Sequence, residues 1–175
     1  KKEAQYRIKE FGIRNSANQK HGFKNTQKSA ANLLCAGTEL RKYRLALACT
    51  GEYAKAATGK TTPTKNEILS AVVTSVNRVD GIYETELAIR MVLIATEDSL
   101  LFGDPDTDPF NGNDDADTLI EESQKKITEI IGSSNFDIGH TFSTGGGGLA
   151  DLGCVCNAST KASGITGSRK PVGDP

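Results

Sequence analysis

A long amphipathic segment between two strand-like segments constrains the fold of this chain more than any other sequence feature. Its apolar residues recur at steps of three and four, which is the spacing of one face of an α-helix. These residues are Ile68, Leu69, Val72, Val73, Val76, Val79, Ile82 and Tyr83. Just before them, Thr64 and Glu67 have the spacing of a capping box, in which two side chains satisfy reciprocal main-chain donors. The segment therefore predicts a long helix that begins after Thr64.

The segments on either side of this helix have the composition of buried strands. In 42–50, larger apolar residues alternate with small ones, as expected of a strand covered on both faces. The larger residues are Tyr43, Leu45, Leu47 and Cys49. The segment 89–96 is a second apolar run, and 51–63, with Gly59 and Pro63, is predicted to be a loop. A strand, a helix and a strand in this order make a right-handed crossover between parallel strands.

The second half of the chain predicts one more helix and three more strands. Acidic residues at 114–117 suit a helix N-terminus. The apolar positions that follow are Ala116, Ile120, Ile127, Ile130 and Ile131, and Gly132 provides the stop. Segments 137–143, 149–156 and 163–167 are predicted strands, and the glycines at 145–148 are predicted to form a flexible bend. The order of elements indicates an α/β fold with helices packed on a mostly parallel sheet.

The sequence divides into a polar arm and one compact domain. Residues 1–39 are rich in Lys, Asn, Gln and Ser and are expected to be an arm, or the remnant of a pro-segment or linker. Residues 40–175 are predicted to be the domain. The chain starts at Lys1 without an apolar leader, and its last eight residues form no predicted element. We therefore expect a piece of a longer protein.

Charge and hydrophobicity exclude two classes of partner. With 21 basic and 22 acidic side chains, the net charge is -1. Such a balance gives no electrostatic reason to bind nucleic acid or an anionic membrane surface. No apolar run approaches the length of a transmembrane helix. We expect neither nucleic acid nor membrane as a partner.

The four cysteines leave two interpretations open. Cys35 and Cys49 flank a turn and the first predicted strand, and they suit a disulfide. Cys154 and Cys156 lie two apart on one predicted strand and are poorly placed to bridge each other. Four buried thiols are the alternative to a Cys35–Cys49 disulfide. Neither pair has the C-x2-C spacing of a structural zinc site.

Motifs for hydrolytic or phosphate chemistry are absent from the 175 residues. The two histidines, His21 and His140, lie far apart, and no H-E-x-x-H motif occurs. His140 is expected to have a structural role, bonded to a nearby main-chain group or carboxylate. The glycine run at 145–148 lacks the Lys-Ser/Thr of a phosphate loop, and no G-x-S-x-G motif is present.

An acidic loop resembles the start of a calcium-binding loop. The oxygen-bearing residues are Asp104, Asp106, Asp108, Asn111, Asn113 and Asp115. Pro109 stands where the calcium loop requires glycine, and Asp115 stands where it requires glutamate. The favoured interpretation is an Asp-Pro turn that leads into a helix, with calcium binding as the alternative.

Three runs of sequence resemble bacterial reprolysin-like zinc metallopeptidases, which are members of the metzincins. They are YRLALACTGEYA at 43–54, AVVTSVNRVDGIYETELAIRMVLI at 71–94 and FDIGHTFSTGGGGLADLGCVC at 136–156. The resemblance implies a twisted, mostly parallel five-stranded sheet with an antiparallel edge strand and two main helices, the upper subdomain of that family. It also implies that the edge strand holds an extended peptide by main-chain pairing. The matching positions are Leu149, Ala150, Asp151, Leu152 and Gly153.

One departure from the family limits what this chain is expected to do. The family's zinc-binding helix, H-E-x-x-H-x-x-G-x-x-H, should follow the strand at Ile165, but the sequence does not contain it. We therefore expect zinc in the parent protein and none in this chain, which is predicted to be a truncated and inactive part of a secreted endopeptidase. The alternatives are a peptide-binding module without catalysis and a calcium-dependent adhesion domain.

Overall fold

The structure of the protein is a computed structural model that describes residues 39–172. Its strands are β1 (Arg41–Cys49), β2 (Ile89–Leu93), β3 (Ile138–Ser143), β4 (Gly147–Ala150) and β5 (Gly164–Gly167). Its α-helices are α1 (Gly51–Thr58), α2 (Lys65–Leu87) and α3 (Ala116–Ile131). Short 3-10 turns cover Glu97–Leu100 and Ser133–Asn135. Apart from Glu39, the predicted arm 1–39 lies outside the described residues.

The five strands form one sheet in the order β2-β1-β3-β5-β4. β1 is parallel to both of its neighbours, β2 and β3, and β3 is parallel to β5. Only β4 runs antiparallel, along the outer side of β5. The predicted α/β class and the mostly parallel five-stranded sheet with an antiparallel edge are therefore confirmed.

β1 separates two hydrophobic cores. Ala46 and Ala48 face α3, and the absence of larger side chains lets this helix approach the sheet. Leu45, Leu47 and Cys49 face the other way, toward α1 and α2. All five of these residues are buried, as the alternating pattern predicted.

The predicted long helix is confirmed as α2, including its capping box at Thr64 and Glu67. Its buried residues are Ile68, Val72, Val76 and Asp80. Three residues of the predicted apolar stripe, Val73, Ile82 and Tyr83, remain 37–46% exposed. The predicted stripe is therefore wider than the buried face of α2, which packs against β1 and β2.

Three sequence predictions about elements or their boundaries were wrong, and the first two concern α1 and β2. The expected loop after Gly51 is the helix α1, which Thr50 caps through a bond from Tyr53 N (3.2 Å) and Gly59 ends with φ +67°. β2 ends at Leu93 instead of Thr96, because the chain leaves the sheet for the first 3-10 turn.

The third error concerns the edge strand and the glycine run. β4 occupies Gly147–Ala150, so Gly147 and Gly148 belong to the strand and not to a bend. The predicted strand 149–156 instead ends after Ala150, and the chain turns at Leu152 and Gly153. Gly153 has φ +69°, a left-handed conformation that ends strand pairing and that glycine adopts without strain.

Glu97 completes the hydrogen bonding of β1 where β2 is too short to reach. Its Oε1 accepts the Leu47 N–H at 2.9 Å. Glu97 is buried, and its Oε2 has no hydrogen-bond partner within the described part of the chain. Burial raises the pKa of Glu97 from its ordinary value of 4.5 to about 8, so the side chain is mostly protonated at neutral pH.

No helix within residues 39–172 has both the length and the apolar character needed to cross a membrane.

We expect Glu97 to make the free energy of unfolding decrease as pH rises. Its folded pKa lies above its unfolded one, so its contribution is fully present below about pH 4.5 and is lost as pH rises through about 8. Glu97→Gln keeps an acceptor for Leu47 N–H but cannot ionise. In urea unfolding, wild type should lose on the order of a few kcal/mol relative to this variant across that window, at about 1.4 kcal/mol per pKa unit.

The control is Glu129→Gln on the exposed side of α3, which should keep the pH dependence of wild type. If Glu97→Gln and wild type lose stability in parallel over this range, the buried carboxyl does not govern the effect.

Candidate functional site

The outer side of β4 is an open sheet edge. β4 pairs with β5 on its inner side, and no other described strand lies beyond it. Asp151 N donates to Ser163 O at 3.0 Å, which fixes the phase of the antiparallel ladder. Hydrogen-bonded pairs alternate with non-bonded pairs, so Leu149 bonds to β5 while the main-chain groups of Gly148 and Ala150 point outward. Both outward residues are exposed.

The opposite edge of the sheet, at β2, is protected. The buried carboxylate of Asp80 in α2 accepts the Met91 N–H at 2.8 Å. Arg90, also in β2, forms a salt bridge with Glu84 (3.3 Å). Charged side chains and occupied main-chain groups are common ways to prevent another strand from pairing with an edge. Within the described residues, the sheet thus has one protected edge, at β2, and one free edge, at β4.

Asn113 holds the turn that leads into β4. Its Oδ1 accepts from Thr144 N (3.0 Å) and from the Thr50 hydroxyl (2.9 Å), while its Nδ2 donates to Thr144 Oγ1 (2.9 Å). A Cβ on Gly145 would lie 2.3 Å from the Asn113 carbonyl oxygen, and one on Gly167 would lie 2.0 Å from the Gly145 carbonyl oxygen. The first glycine of the run is therefore required by close packing.

Lys161 holds the other end of the β4–β5 connection. It is buried, its ammonium donates to the carbonyls of Phe136 (2.7 Å) and Ser133, and it lies 4.3 Å from the centre of the Phe136 ring. Next to it, Ala162 N donates to Gln124 Oε1 at 2.7 Å, and the Ser123 hydroxyl donates to Ala162 O at 2.7 Å.

Sequence reasoning missed these supports of the edge strand. The available signal was local: Ser123 is a polar residue at a buried position of α3, four residues before the buried Ile127. A buried hydroxyl needs a partner, so its position indicates a chain segment packed against α3. The identity of that segment, the end of the β4–β5 connection, was not readable from the sequence.

The five predicted peptide-binding residues lie in three different settings. Leu149 and Ala150 belong to β4, and Asp151 extends its pairing with β5 by one bond. Leu152 and Gly153 lie in the turn that follows, where Leu152 is 99% exposed. Their role in binding a peptide stays a prediction.

His140 packs against β5, with a hydrogen-bond partner that differs from the one predicted. It is half-buried on β3, its Nε2 lies 2.9 Å from the Thr166 hydroxyl, and a Cβ on Gly164 would lie 2.8 Å from its Nδ1. The partner is thus a side-chain hydroxyl instead of the expected main chain or carboxylate. Desolvation lowers the pKa of His140 to about 4, so the ring is neutral at pH 7.

The residues of the described chain do not fit a catalytic zinc ion. His140 is the only histidine between residues 39 and 172, and both of its ring nitrogens lie against β5. Within the same range, no three His, Cys, Asp or Glu side chains are grouped so that they could share a metal ion. His21 lies outside the described residues.

The acidic loop serves as a set of main-chain caps. Asp108 accepts from Gly51 N (2.6 Å) and Phe110 N (2.8 Å), and burial raises its pKa. Asp115 caps α3 through Asp117 N (3.2 Å). Asp104 faces Lys55 at 3.3 Å. These contacts match the predicted turn before a helix and leave the calcium alternative without structural support.

The cysteines of the described chain are not bonded to one another. Cys49 is fully buried in β1, and its thiol lies 3.9 Å from the Phe102 carbonyl oxygen. Cys154 and Cys156 are free thiols, and Cys156 is exposed, so the alternative of four buried thiols was wrong for this residue. Cys35 lies outside the described residues, so its pairing with Cys49 stays a prediction.

We expect Asn113→Ala to destabilise the fold by about 1–3 kcal/mol, because it leaves Thr144 N and the Thr50 hydroxyl without their partner. Urea unfolding measures this loss. Asn66→Ala, on the exposed surface of α2, is the matched control and should stay within about 0.5 kcal/mol of wild type. Equal stability of the two variants would contradict the role assigned to Asn113.

Comparison with known proteins agrees with the fold and the sequence runs described above. No curated protein matches the chain at a significant level. The model of the reprolysin-like metallopeptidase family M12B, however, matches residues 39–174, which include every strand and helix of the sheet domain. The chain therefore belongs to the reprolysin-like metallopeptidases of family M12B.

Proposed function

We propose that this chain is the peptide-holding part of a secreted zinc-dependent endopeptidase and that β4 binds its substrate as an added strand. The observation that carries the proposal is the free edge, where the main-chain groups of Gly148 and Ala150 point away from β5. Membership of a peptidase family supports a protein or peptide as the molecule that occupies this edge.

Strand addition suits the chemistry of this edge. An extended peptide supplies N–H and C=O groups at the same spacing as β4, so it can pair with the outward groups of Gly148 and Ala150. Each such bond contributes about 0.5–1.5 kcal/mol. Because the main chain does the pairing, the edge accepts many peptide sequences.

The ladder phase assigns different tasks to the predicted residues. Leu149 and Asp151 direct their main-chain bonds toward β5, so they would position the strand and not pair with the peptide. Ala150 would pair directly, and Gly148, which the sequence prediction did not include, would pair beside it. Leu152 and Gly153 follow the paired segment.

Peptide hydrolysis requires groups that this sequence does not supply. The family's chemistry depends on zinc, yet the 175 residues contain no H-E-x-x-H motif, and the donors in the described chain do not converge. We propose that the chain by itself holds a peptide without cleaving it.

A peptide-binding module without catalysis is the second candidate. It is favoured by the same lack of a zinc-ligand set, and it uses the same edge. The coding sequence after Pro175 distinguishes the two: an H-E-x-x-H-x-x-G-x-x-H motif there supports the peptidase, and a continuation or stop without it supports the module.

We expect Ala150→Pro to abolish peptide binding while the domain stays folded, because proline removes an outward N–H and is tolerated on edge strands. Fluorescence polarisation with labelled, unfolded casein measures binding, and thermal melting measures folding. Ala150→Val is the matched control, since it keeps the N–H and should bind like wild type. Full binding by a folded Ala150→Pro variant would contradict strand addition at this edge.

We also expect the purified chain to leave casein uncleaved when zinc is added. Release of labelled fragments is the measurement, with a chelator-treated sample as the blank. Zinc-dependent cleavage that the chelator abolishes would show that these residues contain a catalytic site, contrary to the proposal.

A further inference from the structure

Resting on the proposed function, we infer that Leu152 makes this edge selective for peptides that carry a large apolar side chain beside the segment paired with β4. Leu152 would contact that side chain directly. The inference names a specificity determinant, whereas the main-chain pairing at Gly148 and Ala150 is indifferent to side chains.

The first observation is the exposure of Leu152. The side chain is 99% exposed at the turn that ends β4. Turns of this kind usually carry Gly, Asn, Asp, Ser or Pro, each for a conformational reason. A leucine there gives up about 1.5–3 kcal/mol that burial of its side chain would contribute. A bound apolar group would recover part of that energy.

The second observation is the position of Leu152 relative to the free edge. It lies two residues after Ala150, whose main-chain groups point outward. A strand added to β4 would run about 4.8 Å away. Leu152 therefore lies next to the point where an added strand would pass the end of β4, and the peptide is the occupant we assign.

The third observation is that the turn is held in place. Asp151 N bonds to Ser163 O at 3.0 Å, and after the turn Cys156 N bonds to Asp137 O at 3.0 Å. A contact that is already positioned loses little entropy on binding. Two further apolar residues close to it in the chain are exposed, Val155 by 46% and Leu149 by 39%.

The test uses labelled octapeptides of threonine in which one leucine occupies each position in turn, with all-threonine as the parent. Fluorescence polarisation against the full chain gives each affinity. We expect wild type to bind at least one leucine peptide about tenfold more tightly than the parent. Leu152→Ser should lose this preference and still bind the parent. Val92→Ser, which changes an apolar residue of β2 that is 45% exposed and far from β4 in the strand order, should keep the preference.

The outcomes separate this inference from the proposed function. If wild type shows no leucine preference, or if Leu152→Ser keeps it, the assignment of Leu152 is overturned, while loss of all binding in Ala150→Pro still supports the edge. If Ala150→Pro binds every peptide like wild type, or if wild type binds none, the proposed function fails and the inference fails with it.

Discussion

A buried strand must pair its main-chain groups on both sides, and the rest of this structure depends on how β1 meets that requirement. β3 serves one side along Leu45–Cys49. On the other side β2 stops after five residues, and the carboxyl of Glu97 takes the Leu47 N–H. A side chain thus replaces part of a strand, and the segment after β2 is free to leave the sheet. That segment runs on to the acidic loop, whose Asp108 and Asn113 bond to the chain around Thr50.

The two edges of the sheet differ in how far their main-chain groups are occupied. At β2, a buried carboxylate from α2 occupies a main-chain donor of Met91. At β4, no described side chain does the same, although free edges expose a protein to unwanted pairing. β4 is short, and small residues make up most of it, with the sequence Gly-Gly-Leu-Ala. A short strand limits accidental pairing but still offers two residues with outward main-chain groups, which suits the proposed peptide site.

Family membership and local chemistry give complementary information here. The match over 39–174 establishes the reprolysin-like family, whose members use zinc. Within the described chain, the one histidine is neutral, half-buried and directed at Thr166. The residues present therefore account for the stability of the sheet and support the proposal that β4 holds a peptide. They do not account for hydrolysis.

The sequence alone determined the strand–helix–strand crossover, the cap at Thr64 and the α/β class, because periodicity and capping are local properties of the chain. It did not determine where β4 ends. Leu149 to Cys156 is apolar enough for a strand, but the turn at Gly153 and the pairing with β5 set its length. The pairing also decides that the main-chain groups of Ala150 point away from β5 and those of Leu149 point toward it. A bond between Asp80 and Met91, or between Glu97 and Leu47, joins residues 11 or 50 positions apart. Only the tertiary structure decides such contacts, because they depend on which elements become neighbours after folding.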